Sequence, residues 1–267
     1  MSALECIDAG FQVGTKALLS GMTARLLPGR VYAILGPNGA GKSTLLSLLS
    51  GQRRPTHGEV RLDGLPLERH APAALALRRA VMPQESSVAF DFNALEIVTL
   101  GRLPHRTPAQ ADEAGIVDSG TALAAVAALA PRILNTLSGG EKARVHLARA
   151  MAQLWHPRPG GDTRWLLLDE PTAALHVAHQ HATMALVRQK AAQGVGVVAV
   201  LHDLNLALRY ADEVIVLGQG RAMVQGPTAK VLSPALVSEV WRTPCDLVAG
   251  GDGAPQYLFG VLQPSAT

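Results

Sequence analysis

The chain has 267 residues, 48% of them hydrophobic, enough to bury one large core or a core with a small subdomain. Its net charge of +3 is scattered, and the basic pairs Arg53-Arg54 and Arg78-Arg79 stand apart without interleaved aromatics, which argues against a nucleic-acid-binding surface. Two distant cysteines, Cys6 and Cys245, read as reduced thiols, and the sequence shows neither a secretory leader nor the ~18–20 apolar residues that cross a bilayer.

The apolar run Val31–Leu35, ending at Gly36, predicts a buried parallel strand. Residues 43–49 carry leucines at helical spacing and stop at Gly51. Between them, Gly36-Pro37-Asn38-Gly39-Ala40-Gly41-Lys42-Ser43 fits the G-x-x-x-x-G-K-[ST] phosphate loop in the strand–loop–helix context that the motif requires. Residues 59–62 predict a strand turned by Asp63-Gly64, and residues 80–83 a short strand reaching Gln84. Over residues 85–159 strand signals vanish, and residues 122–129 and 142–152 carry Ala, Leu and Val at helical spacing. This segment reads as a helical subdomain inserted between two parts of one core, 1–84 and 160–267. Further on, a strand is predicted at 165–168, a helix at Val177–Ala192, a strand at 195–201 and a helix at Leu204–Tyr210. The last clear strand covers 214–217, and a helical, then irregular tail follows Gly226. No internal repeat is visible.

The chemistry begins at the glycines, which free backbone N–H groups to wrap phosphate oxygens while the following helix adds its positive end. Lys42 is expected to reach the β- and γ-phosphates, Ser43 to bind Mg2+ and Thr44 to contact the α-phosphate of a nucleotide. The apolar run Leu166-Leu167-Leu168 delivers Asp169 and Glu170 to a strand tip, where crevices open in α/β sheets. Asp169 is the expected partner of Mg2+ through water, and Glu170 the expected general base. About a hundred residues after the phosphate loop, Leu137-Ser138-Gly139-Gly140-Glu141 supplies a second anion-binding turn and also a helix-capping box. It has no evident route to the first loop within one chain, which makes sense if two chains meet head to tail.

With these motifs the sequence resembles the ATP-binding cassette (ABC) family, from about residue 4 to 260. The resemblance implies an α/β fold: a P-loop NTPase core with a mainly parallel sheet flanked by helices, an N-terminal antiparallel β portion and an inserted α-helical subdomain. It implies ATP and Mg2+ as ligands. Gln84 would contact Mg2+ or the lytic water, and His202, in Leu201-His202-Asp203-Leu204, the γ-phosphate. Ser138, Gly139 and Gly140 would bind the γ-phosphate held by a second copy of the chain. Within the family, Val81-Met82-Pro83-Gln84-Glu85-Ser86-Ser87, Glu96-Ile97-Val98-Thr99-Leu100-Gly101-Arg102, residues 165–172 and Val200-Leu201-His202-Asp203-Leu204-Asn205-Leu206-Ala207 are similar to ATPase subunits of bacterial hemin importers. The later segments occur also in vitamin B12 and iron-siderophore importers. The implied partners are a second copy, a dimeric membrane permease and, indirectly, a periplasmic substrate-binding protein. The implied location is the cytoplasmic face of the inner membrane.

Two positions depart from the family pattern. Ala173-Ala174-Leu175-His176 carries His176 where an aspartate is usual, so no fixed negative charge is available to couple opposed sites. The aromatic that often stacks on adenine is matched nearest by Phe11, with Gln12 at the alternative position. His176, His179 and His181 read as solvated helix surface: only the first two share a face, and no acid or cysteine completes a metal set. A DNA-end ATPase would need a heptad coiled coil before the second motif, a ribosomal one two cassettes, and neither is present. A regulatory nucleotide-binding module is disfavoured by Lys42, Asp169 and Glu170.

Overall fold

The computed structural model describes residues 2–84, 90–105, 112–156 and 161–260. In chain order the strands are β1 (Leu4–Val13), β2 (Lys16–Leu26), β3 (Val31–Leu35), β4 (His57–Leu62), β5 (Leu65–Pro66), β6 (Arg79–Met82), β7 (Trp165–Asp169), β8 (Gly196–Val200), β9 (Glu213–Gly218), β10 (Arg221–Pro227), β11 (Cys245–Ala249) and β12 (Pro255–Phe259). The α-helices are α1 (Lys42–Leu49), α2 (Pro72–Arg78), α3 (Ala94–Leu100), α4 (Glu113–Leu123), α5 (Gly139–Gln153), α6 (Val177–Ala192), α7 (Leu204–Tyr210), α8 (Thr228–Val231) and α9 (Pro234–Trp241).

The central sheet has the order β10-β9-β3-β8-β7-β6, parallel from β9 to β6, with β10 antiparallel at one edge. Its middle strands are apolar at nearly every position because both faces are covered. Alternation sends Val31, Ala33 and Leu35 to one face and Tyr32 and Ile34 to the other. The first face packs against residues of α5, α6, α7 and α9. The second packs against α1 and the separate antiparallel sheet β2-β1-β4-β5. The expected α/β fold with an N-terminal antiparallel portion is therefore present.

A third apolar cluster joins α3, α4 and α5 through Ile97, Val98, Ile116, Val117, Val145 and Ala148. The helix predicted over residues 122–129 differs. Helix α4 stops at Leu123, Ala125 takes a left-handed φ of 53°, and a 3-10 turn covers Ala127–Leu129. Val126 N donates to Thr121 O at 2.8 Å and Ala125 N to Ala122 O at 3.0 Å, the paired bonds of a Schellman termination. The stop turns Val126 and Leu129 into the helical cluster.

The tail also departs from expectation. After α8 and α9, the irregular segment is in fact the antiparallel hairpin β11–β12, with Cys245 and Tyr257 buried in the main core. Both cysteines are free, and both are buried. Burial pushes the Cys6 thiol up to about 12. No helix among the described residues is long and apolar enough to cross a membrane.

Candidate functional site

Four neighbouring parallel strands end on one side of the sheet and carry the chemistry there. β3 runs into the glycine loop, β7 ends in Asp169 and Glu170, β8 leads to His202, and β6 leads to Gln84. This is where crevices form in open α/β sheets, at the carboxyl ends of the strands.

The loop's shape depends on glycine at its two ends. Gly36 has φ 144°, and a Cβ there would fall 2.3 Å from Leu217 O on β9. Gly41 is the residue before α1 with φ 97°, and its Cβ would fall 2.8 Å from Leu18 O. Between them Ala40 N donates to Pro37 O at 3.2 Å. The Lys42 ammonium is buried within this loop and donates to Gly36 O at 2.9 Å and Pro37 O at 3.0 Å. Its burial lowers its pKa, while the Glu170 and Asp169 carboxylates act the other way.

The two acids are differently held. Ser43 Oγ donates to Asp169 Oδ1 at 3.1 Å. Burial raises the Asp169 pKa, the Ser43 hydrogen bond lowers it, and the neighbouring Glu170 raises it further. Glu170 sits at a left-handed φ of 53°, an uncommon conformation for a non-glycine residue and one found at functional sites. One carboxylate oxygen, Oε2, accepts from Gln84 Nε2 at 2.9 Å, and the other, Oε1, lies 2.5 Å from His202 Nε2. A groove of about 620 Å³ runs along Asn38, Gly39, Lys42, Ser43 and Thr44 on one side and Gln84, Glu170 and His202 on the other.

The sequence-predicted residues of the phosphate loop, both acids, Gln84 and His202 are thus brought together. Ser138, Gly139 and Gly140 are not among the residues lining the groove. They form the start of α5, where Ser138 Oγ accepts from Glu141 N at 3.3 Å and Glu141 Oε2 accepts from Ser138 N at 2.8 Å. These bonds from Ser138 hold the Glu141 carboxyl below its ordinary range. Glycine is needed at position 140, since a Cβ would fall 2.6 Å from Ala174 O. The turn at Ser138-Gly139-Gly140 therefore rests on the loop that follows β7.

The Phe11 ring lies under the Arg53 guanidinium, 5.1 Å from its centre, and is not among the groove's lining residues. A large apolar side chain at the groove is Leu18, carried there by the β1–β2 hairpin. Sequence reasoning missed it because nothing in the Ala17-Leu18-Leu19 string marks one leucine as facing a ligand. His176 precedes α6 and makes no side-chain capping bond, and His181 Nδ1 lies 2.9 Å from the Tyr210 hydroxyl. Among the described residues no His, Cys, Asp and Glu group is arranged to hold a metal ion. Part of the importer-like segment after Gln84, Glu85-Ser86-Ser87, lies outside the described residues.

A parallel sheet with a glycine loop, a loop lysine and paired acids at its carboxyl edge defines a P-loop nucleotide-binding protein. Residues 19–173 match the family model described as ABC transporter, and the chain belongs to that family. It is 50% identical over 233 residues to the hemin import ATP-binding protein HmuV of Myxococcus xanthus, covering 85% of each chain. It is 42% identical over 270 residues to the protein of that name from Methylobacillus flagellatus, covering 99% of this chain and 98% of the relative. Among solved structures, a chain of an ABC transporter in an inward-facing conformation superposes with a TM-score of 0.78 at 26% identity, covering 97% of this chain and 98% of that one. The dimeric ATP-binding cassette MJ0796, bound to ADP and Pi, superposes with a TM-score of 0.71 at 26% identity, covering 85% and 99%.

Proposed function

We propose that the chain is the ATP-hydrolysing subunit of a bacterial ABC importer, and that the cargo its partners carry is hemin. The observation that carries the motor is the convergence of Gln84 and His202 on the two oxygens of Glu170 beside the phosphate loop. Hemin rests on the relatives in Myxococcus xanthus and Methylobacillus flagellatus, whose names specify hemin import.

In this reading the backbone N–H groups of residues 36–41 and the Lys42 ammonium hold the β- and γ-phosphates, and Thr44 the α-phosphate. Glu170 takes a proton from the attacking water or polarises it, with Gln84 orienting its carboxylate. His202 contacts the γ-phosphate. Ser43, Asp169 and Gln84 would hold Mg2+, a fit supported by the approach of a hydroxyl and a carboxylate, the hard oxygen donors that this ion takes. An ion held by these residues would supply charge neutralisation at the phosphates. Ser138, Gly139 and Gly140 meet the γ-phosphate held by a second copy, a role favoured by their position outside the groove and by the dimeric state of the MJ0796 cassette.

The domain division follows the same reading: residues 1–84 and 160–267 form the ATP-binding core, and 85–159 the helical subdomain, supported by the separate apolar cluster of α3, α4 and α5. The permease would dock beside β6, where a second groove of about 730 Å³ is lined by Leu48, Arg53, Arg79, Val81, Arg149 and Gln153. The protein would then sit at the cytoplasmic face of the inner membrane, served by a periplasmic hemin-binding protein and by no nucleic acid.

The test is ATPase activity of the chain purified with its permease, with and without hemin-loaded binding protein. Stimulation by the hemin-loaded protein supports the reading. Stimulation only by a siderophore or corrinoid complex keeps the motor and changes the cargo. No permease and no hydrolysis would overturn it.

A further inference from the structure

The segment after β8 is held at both ends. At one end His202 Nε2 meets Glu170 Oε1 at 2.5 Å. Asp203 then caps α7, its Oδ1 accepting from Asn205 N at 2.7 Å and Leu206 N at 3.0 Å. At the other end the Asn205 side chain grips β12 as a strand neighbour would: Tyr257 N donates to Asn205 Oδ1 at 2.6 Å, and Asn205 Nδ2 donates to Tyr257 O at 3.3 Å.

The hairpin that Asn205 grips is itself anchored. Tyr257 is buried, and its hydroxyl donates to Leu232 O at 2.5 Å. Cys245, on the partner strand across from Phe259, is also buried in the main core. Between the hairpin and the strand end lies an open gap of about 560 Å³, walled by His202, Asp203, Asn205, Trp241, Thr243 and Phe259. Side-chain packing therefore does not fill the space behind His202. A side-chain amide matched to both backbone groups of one residue makes the firm link across this gap. The hairpin lies beyond the segment that matches the family model, residues 19–173.

We propose that the C-terminal hairpin sets the position of His202, with Asn205 as the positioning residue. This rests on the reading of His202 as the γ-phosphate contact. Nothing in the hairpin touches the nucleotide groove, whose lining is drawn from β2, the phosphate loop, Gln84, Glu170 and His202. Asn205 therefore acts only through His202, one γ-phosphate contact beside those of the phosphate loop, so its effect falls mainly on hydrolysis. Loss of the amide pair frees the 203–205 turn from β12 and lets the imidazole leave Glu170.

The experiment compares wild type, Asn205→Ala, His202→Ala and the double variant in the full chain with its permease. Thermal unfolding and ATP affinity serve as controls. The expected result is a roughly tenfold lower kcat for Asn205→Ala with KM for ATP unchanged, and no further loss when the change is added to His202→Ala, because residues acting as one unit are non-additive. Should the alanine variant not fold, Asn205→Asp keeps the acceptor for Tyr257 N–H but sets a carboxylate oxygen against Tyr257 O, and a loss of the same kind is expected. An unchanged kcat in Asn205→Ala, or a loss that multiplies with that of His202→Ala, overturns the proposal. Wild-type hydrolysis that His202→Ala leaves intact removes its premise, and with it the assigned role of His202.

Discussion

Ser43 and Asp169 meet through a hydroxyl–carboxylate hydrogen bond of 3.1 Å, although 126 positions separate them in the chain. The first residues of α1 and the last of β7 are thus fixed against each other. Asp169→Asn keeps the shape and an acceptor for Ser43 but removes the anionic oxygen offered to a divalent cation. Titrating Mg2+ against the ATPase rate should show affinity weakened by about tenfold to a hundredfold, with ATP saturation at high Mg2+ recovered.

Glu170→Gln separates binding from chemistry. The amide is the same size but cannot accept a proton from water. The turnover number should fall by about 10²–10⁴ while ATP affinity is retained. Mass measurement by light scattering in ATP should then show a larger dimer fraction than in wild type.

The loop glycines divide into two kinds. Gly36→Ala brings a Cβ to 2.3 Å from Leu217 O, so β9 must shift, whereas at Gly39, with φ 76°, a Cβ meets nothing within 4 Å. Urea unfolding should show about 1–2 kcal/mol lost for Gly39→Ala, the left-handed penalty alone. Gly36→Ala should lose clearly more, with nucleotide binding abolished.

His176 occupies a capping position (φ −65°, ψ 154°) without a capping bond. Aspartate there accepts from the first-turn N–H groups and faces the positive end of α6. His176→Asp should raise stability by about 1 kcal/mol, read as a higher Tm. Unchanged ATP cooperativity in the same variant would mean that the departure from the family pattern is neutral for coupling.

His146 on α5 is buried, and this burial, with the nearby Arg149 and Lys142 charges, lowers its pKa from 6.5 to about 4. The folded state therefore stays neutral where the unfolded state takes up a proton. The His146 contribution to stability should be constant above pH 6.5, fall as pH drops from 6.5 toward 4, and level off below, with a loss from this group of up to about 3 kcal/mol. His146→Gln should flatten this limb in denaturant titrations at pH 7 and pH 5.

Where the sequence was legible, two levels agreed. The glycine loop stood between a β-branched strand and a leucine-spaced helix, and the acids followed an apolar strand, so both lay at the same sheet edge. The end of α4 was not legible, because the usual sign of a Schellman stop is glycine and here Ala125 takes that conformation. The β11–β12 hairpin was hidden because most of its residues are exposed, leaving Cys245 and Tyr257 as its buried positions. Leu18 and Asn205 were missed for another reason. Each acts through a contact made only after the chain folds back: nothing in the string around Leu18 marks it, and Asn205, though inside the importer-like segment 200–207, carries no local sign that it grips a distant strand.

Burial of both native thiols has a practical consequence. Sulfur sheltered from solvent reacts slowly with maleimides and other alkylating reagents, and burial also holds the Cys6 thiol protonated. A single cysteine introduced on the exposed face of α6 or on the β11–β12 hairpin would then be the one readily labelled position. Pairs of such labels could report the distance between two copies, or between hairpin and permease, through a turnover cycle, without first stripping the native sulfurs from the core.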